Sequence, residues 1–210
     1  MADSKPRATT PFDALAGHTL SADGISIDAL PLGPKLNIRG KPTDAFSESV
    51  SGALDLALPL QPNRVSRHSG VHTDDALFWL GPDEWLWRGG GDPAASVADA
   101  AESLRDQWQQ TGHHCAVVDV SDFYAVLQLS GSRVFEVLSK GTPLDCVTAL
   151  CDAGCCAQTR FGHANVLLDR CLDTDDAELC VNLQVRWSFV EVVWRQLQLA
   201  TEEFAPVAPP

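Results

Sequence analysis

Apolar residues recur along this chain with two clear periods. The pattern is densest between Val117 and Asp145. Ala116, Val117, Val118 and Val120 open it, and Asp119, Ser121 and Asp122 form a polar corner. Ala125, Leu127 and Leu129 then alternate with Val126, Gln128 and Ser130, the period-two signature of a half-buried strand. Gly131 closes it. Ser132 is placed to cap a short helix carrying Val134, Phe135 and Leu138 on one side, with Gly141 at its end. The prediction is strand, turn, strand, short helix.

The same alternation of periods runs through the rest of the chain. Leu36 and Ile38 alternate with Asn37 and Arg39 as a strand. Thr43 caps a helix with Phe46, Val50 and Leu54 on one face. Pro59 and Pro62 break the chain. Strands are expected near Arg64–His68, over Ala76–Leu80 and over Glu84–Arg88, the last two joined by the turn Gly81-Pro82-Asp83. After the linker Gly89–Gly91, Asp92 and Pro93 start a helix whose Val97, Ala101, Leu104 and Trp108 share a face and which Gly112 ends. Beyond the central stretch, Asn165–Cys171 and Glu178–Leu183 read as a hairpin around the polar turn Asp173–Asp176. Ser188 and Glu191 form a capping-box pattern for a closing helix with Phe189, Val193 and Leu197 on one face.

These elements repeat in order. LNIRG at Leu36–Gly40 matches LQLSG at Leu127–Gly131, RVSRHSG at Arg64–Gly70 matches AQTRFGH at Ala157–His163, and EWLW at Glu84–Trp87 matches ELCV at Glu178–Val181, at a slowly drifting offset. The expected fold class is α+β: two pseudo-repeated, ferredoxin-like strand–helix–strands–helix halves in one domain. The halves span about 30–112 and 113–200 of a domain covering 21–200. A Pro-, Ser-, Thr- and Ala-rich arm, 1–20, is expected to be flexible, and 201–210 forms a C-terminal tail.

Composition narrows the partners. The chain has 210 residues, 45% apolar and 20% charged, with a net charge of -13. That length suffices for a full core, and that charge argues against a nucleic-acid backbone as ligand. No apolar run reaches the length of a membrane helix. The start, MADSKPRATTPFDAL, lacks an export signal, so the cytoplasm is the expected compartment and the seven cysteines are read as thiols.

Candidate chemistry is sparse. Cys146, Cys151, Cys155 and Cys156 cluster, but their spacing cannot form two ordinary zinc knuckles. His113 and His114 precede Asp119 and could be drawn as a base and its orienter, yet a turn and the strand after it need not face one cleft. His163 reads as a satisfied or solvent-facing ring. Ser130, in LSGS, lacks the nucleophile elbow. Gly89–Gly91 lacks the spacing of a phosphate loop, and Asp173–Glu178 lacks a calcium-loop pattern. Six tryptophans, Trp79, Trp85, Trp87, Trp108, Trp187 and Trp194, divide between core and candidate interface anchors, with Trp85 and Trp87 on one face of their strand opposite Leu86. No catalytic, cofactor-binding or metal residue is assigned.

Val118-Asp119-Val120-Ser121, followed by Gly131, Leu138 and Asp145, resembles a segment of glycine-cleavage aminomethyltransferases. More of the chain resembles the gamma subunit of heterotetrameric sarcosine oxidase, in the same folate-binding-domain superfamily. The residues are Leu30–Gly40, Trp79–Trp87, Val117–Asp122, Cys155–Arg170 and Val185–Leu197. The resemblance implies one aminomethyltransferase-like domain with intertwined halves. It implies a non-catalytic assembly subunit whose partners are alpha, beta and delta subunits, in a complex that demethylates sarcosine to glycine, yielding hydrogen peroxide and formaldehyde or methylenetetrahydrofolate. FAD, FMN, NAD, tetrahydrofolate and zinc would belong to other subunits. The alternative is a stand-alone folate-binding or aminomethyltransferase-like protein. Gly162–Leu168 lacks the paired acidic residues of the aminomethyltransferase hairpin, which weakens that alternative.

Overall fold

The computed structural model describes residues 15, 17–68, 75–90, 93–111, 114–171 and 179–205. The cap at Asp92, the helix end at Gly112, His113, the turn 173–178 and the arm as far as residue 14 lie outside them, as does the side chain of Val97.

An N-terminal hairpin, β1 (Thr19–Ala22) and β2 (Ile25–Ala29), precedes β3 (Lys35–Arg39) and α1 (Asp44–Leu54). Then come β4 (Val65–Arg67), β5 (Ala76–Gly81), β6 (Glu84–Arg88), α2 (Pro93–Thr111), β7 (Ala116–Asp119), β8 (Tyr124–Ser130), α3 (Val134–Ser139) and α4 (Cys146–Ala149). The chain continues through β9 (Cys156–Phe161), β10 (Ala164–Arg170) and β11 (Cys180–Arg186) to α5 (Val190–Thr201). The strands form two antiparallel sheets, ordered β1-β2-β8-β11-β10-β9 and β4-β5-β6-β3-β7.

Alternation along each strand sorts side chains into three layers. In β6, Trp85 and Trp87 join Phe46, Val50, Leu54, Leu104 and Trp108 beneath α1 and α2, while Leu86 turns the other way. Ala125, Leu127 and Leu129 of β8 pack with Val134, Val137, Leu138, Val193 and Leu197 beneath α3 and α5. Between the sheets lie Val65, Ala76, Phe78, Leu86, Cys156 and Leu167. The order is helices, sheet, sheet, helices.

The Thr43 cap forms as the sequence predicts: its hydroxyl accepts from the Phe46 amide at 3.3 Å. Phe46, Val50 and Leu54 are buried, and the Phe46 ring sits 5.5 Å from Trp85 and 5.6 Å from Trp108.

Other expectations are corrected. On the side of β8 expected to be open, Val126 is 5% exposed while Tyr124, Gln128 and Ser130 are half-buried, because the second sheet faces that side. Ser132 is exposed and caps nothing. Arg133 is the residue before α3, and its amide donates to the Gly24 carbonyl at 3.0 Å, so the N-terminal hairpin holds this turn. Ser188 lies in a 3-10 turn, Trp187–Phe189, and α5 starts after it. The capping box is therefore not formed. Glu191 instead pairs with Arg195 at 2.8 Å, and Phe189 is 43% exposed, leaving Val190, Val193, Trp194 and Leu197 as the buried side.

The hairpin β1–β2 is an element the sequence reading did not contain. At the other end, the 3-10 turn Glu202–Phe204 docks: the buried Phe204 offers its carbonyl to the Asp23 amide at 3.1 Å, and Lys140 and Arg133 lie 4.2 and 4.5 Å from the centre of its ring.

Candidate functional site

The sequence candidates do not converge. His114 is exposed before β7, beside a surface hollow it shares with Arg39, Lys41 and Asp83. Asp119 ends β7, with its carboxylate accepting from the Ser121 hydroxyl at 2.6 Å and the Ser121 amide at 3.0 Å. His163 is exposed in the turn joining β9 to β10. Ser130 ends β8, paired with Cys180 and Ser26. Of the clustered cysteines, only Cys151 and Cys155 come together, with sulfurs 3.4 Å apart. Cys146 is buried on α4 and Cys156 between the sheets. All seven cysteines are thiols. Trp85, Trp87, Trp108 and Trp194 are core residues, whereas Trp79 and Trp187 are half-buried. The interface role open to the tryptophans is thus closed for the four that fill the interior. The Trp85 indole donates to the Pro59 carbonyl at 2.8 Å.

The group that does converge is one the sequence reading missed. Asp169 on β10 is fully buried between the sheets. From the facing sheet, Arg67 on β4 donates to it at 2.5 Å and Arg88 on β6 donates to both of its oxygens at 3.2 and 3.3 Å. Within its own sheet, the Asn182 and Gln184 amides each donate at 3.1 Å. Desolvation raises the Asp169 carboxyl, but Arg88 and Arg67 outweigh it and hold the group below the usual carboxylate range. A carboxylate kept ionised by two guanidiniums, with both oxygens occupied, is not a proton donor or acceptor near neutrality. Arg67 also donates to the Ala153 carbonyl at 3.0 Å and the Arg170 carbonyl at 2.9 Å, so the cluster ties β4 to the loop before β9.

Lys35 on β3 is 1% exposed and donates to the Gly33 carbonyl at 3.0 Å. Burial, then the nearby Arg88 charge, lowers it to about 8, against a smaller opposing pull from Asp122. A lysine so perturbed is a usual mark of a functional site, but Lys35 lines none of the described hollows.

Beside the cluster the sheets part around a cleft of about 530 Å³. Leu80 and Leu86 form one wall, and Tyr124, Arg160, Gln184 and Arg186 line the other. Burial raises the Tyr124 phenol against the pull of Arg186. The cleft thus offers cations and a protonated phenol rather than a base.

Residues 39–203 match the model of the sarcosine oxidase gamma subunit family. The chain is 28% identical over 127 residues to a sarcosine oxidase subunit gamma from Arthrobacter sp, covering 60% of this chain and 57% of that relative. It is 28% identical over 190 residues to one from Corynebacterium sp. (strain P-1), covering 90% of this chain and 86% of that relative. The match thus spans little over half the length of the Arthrobacter relative and most of the Corynebacterium one. Among solved structures, a chain of heterotetrameric sarcosine oxidase from Corynebacterium sp. U-96 in complex with pyrrole 2-carboxylate superposes with a TM-score of 0.77 at 24% identity. The superposition covers 97% of this chain and 99% of that one, which establishes the shared mixed α/β fold of antiparallel sheets.

Proposed function

Because this chain belongs to the sarcosine oxidase gamma subunit family, we propose that it is the gamma subunit of a heterotetrameric sarcosine oxidase and supports assembly and stability rather than the chemical step. The complex is an oxidoreductase that demethylates sarcosine to glycine, with oxygen reduced to hydrogen peroxide and the methyl group leaving as formaldehyde or methylenetetrahydrofolate. The alpha, beta and delta subunits are its partners, and they carry FAD, FMN, NAD, tetrahydrofolate and zinc. The cytoplasm is its compartment. No described helix is long and apolar enough to cross a membrane.

The observation that carries this reading is the state of the ionisable cluster that the described residues form at the centre of the fold. Asp169 is saturated by Arg67, Arg88, Asn182 and Gln184, and it binds the two sheets to each other. Such a cluster holds a scaffold in shape and has no free position for a substrate. The shared order β4-β5-β6-β3 and β9-β10-β11-β8 supports reading the fold as two ferredoxin-like halves of an aminomethyltransferase-like domain, the second completed by β2.

The test is the whole complex. With His113, His114 and His163 replaced singly by Asn or Gln, turnover of the purified heterotetramer should stay within a few-fold, whereas loss of a general acid or base costs about 100-fold or more. A single such change that abolished turnover in an intact complex would place this chain in the active site. The isolated chain should be colourless, and a stoichiometric flavin band in its absorbance spectrum would contradict the reading.

A further inference from the structure

The loop between α4 and β9 brings together two sulfurs that the proposed scaffold role does not use. Cys151 is exposed, Cys155 is 6% exposed, and their Sγ atoms lie 3.4 Å apart. The Asp152 carboxylate touches both, with Oδ2 at 3.6 Å from Cys151 Sγ and Oδ1 at 3.4 Å from Cys155 Sγ. Three such ligands could be drawn around a cation. Yet the Arg64 guanidinium lies 3.3 Å from Cys155 Sγ and 3.7 Å from the Asp152 carboxylate, so a positive charge already rests against two of the three ligands.

We propose that Cys151 and Cys155 form a thiol pair that a small hydroperoxide oxidises reversibly to an intramolecular disulfide. Cys151 is the sulfur that reacts with the peroxide, because it is open to solvent. Its thiolate takes the distal oxygen of the peroxide, the O–O bond breaks, and the sulfur becomes a sulfenic acid as the remaining alkoxide or hydroxide takes a proton. Cys155 then attacks that sulfur. The S–S bond forms, the S–OH bond breaks, and the departing hydroxide leaves as water with the Cys155 proton. Two thiols lose two electrons and the peroxide gains two. One hydroperoxide yields one alcohol and one water, or two waters from hydrogen peroxide.

The local structure assigns these roles. Burial, then the contact with Cys151, raises the Cys155 thiol, so it keeps its proton until the sulfenic acid stands beside it. Cys155 is anchored: the bridge between Arg64 and Cys155, the Val65 amide on the Gly154 carbonyl at 3.0 Å and the Cys156 amide on the Asn63 carbonyl at 3.0 Å fix its backbone to the neighbouring sheet. Cys151 is therefore the partner that moves. A disulfide needs about 2.05 Å between sulfurs, so little more than ~1 Å of approach closes the pair. The neighbouring thiols do not compete: burial pushes Cys146 up to about 11 and Cys156 up to about 12, and the Cys156 thiol donates to the Arg64 carbonyl at 3.4 Å.

The experiment uses the full-length chain, reduced, freed of excess thiol and exposed to dilute hydrogen peroxide, then alkylated and cut with trypsin. The peptide Gly141–Arg160 should lose two hydrogens, with fragmentation placing the link between Cys151 and Cys155 and alkyl groups on Cys146 and Cys156. Dithiothreitol should restore alkylation of all four. In Cys151→Ser the two-hydrogen loss should vanish and Cys155 should remain alkylatable. In Cys155→Ser, dimedone should trap a sulfenic acid at Cys151. A link to Cys146 or Cys156, resistance of both thiols to peroxide that consumes a free thiol control, or a stoichiometric metal that shields them would each overturn the proposal. The readout is independent of any partner subunit, so its failure leaves the assembly role untouched.

Discussion

Asp169 shows how much one residue can matter without chemistry. Its charge is buried with two arginines, and removing one member of such a cluster leaves the others uncompensated. Asp169→Asn should destabilise the chain by about 3–5 kcal/mol in urea unfolding, and an unchanged midpoint would show that the cluster is dispensable. Because the folded carboxyl is held below its ordinary value, its contribution is present above the unfolded value and is lost as pH falls through the folded one. Lys35 has the opposite standing. Its folded value of about 8 lies below the ordinary 10.5, so the unfolded chain binds more protons between them and stability rises with pH across that window. Raised thiols such as Cys146 work against that slope, so the comparison must be with Lys35→Met. The stability gained by the variant should be greatest at neutral pH and shrink by on the order of 3 kcal/mol toward pH 11. A constant difference would mean that Lys35 titrates normally. Neither residue was legible beforehand. The alternation Asn165, Leu167, Asp169 puts Asp169 opposite Val166 and Leu168, but nothing local says that Arg67, 102 positions away, waits on that side.

At the scale of elements, what was legible in the sequence had its signal and its partner close together, although closeness alone did not suffice. Thr43 and Phe46 sit three residues apart, and their cap forms. Ser188 and Glu191 have the same spacing, but Trp187–Phe189 take a tighter turn and the pattern goes unused. The hairpin β1–β2 was missed although Ile25, Ile27 and Ala29 alternate plainly, because its place in the sheet is fixed by β8 far along the chain. Two glycines separate these kinds of information. Gly131 has φ +124°, and a Cβ there would lie 2.3 Å from the Gly24 carbonyl oxygen. Gly131→Ala should therefore cost more than about 2 kcal/mol. Gly52, inside α1 with open space around it, should gain about 0.5–1 kcal/mol as Gly52→Ala. Thermal melts of the two variants should move in opposite directions, and a tolerant Gly131 would contradict the tight crossing.

For the whole molecule, the decisive feature is that β2 borders β8 while β3, next in sequence, belongs to the other sheet. Removing residues 1–30 would strip β1 and β2, bare the β8 edge and delete Ile25, Ile27 and Ala29 from the core. Light scattering should show the shortened chain self-associating, and a stable monomer would show that the edge needs no cover. The layout also acts in time. During synthesis β2 leaves the ribosome long before its neighbour β8, and at typical elongation rates the delay is on the order of ten seconds. Arg67 and Arg88 likewise emerge before Asp169, so the first half is made with two cations that have nothing to bury against. It follows that the nascent chain holds an unclosed sheet until β11 has appeared, and that its vulnerability to proteases and aggregation is set by the pace of translation through the second half.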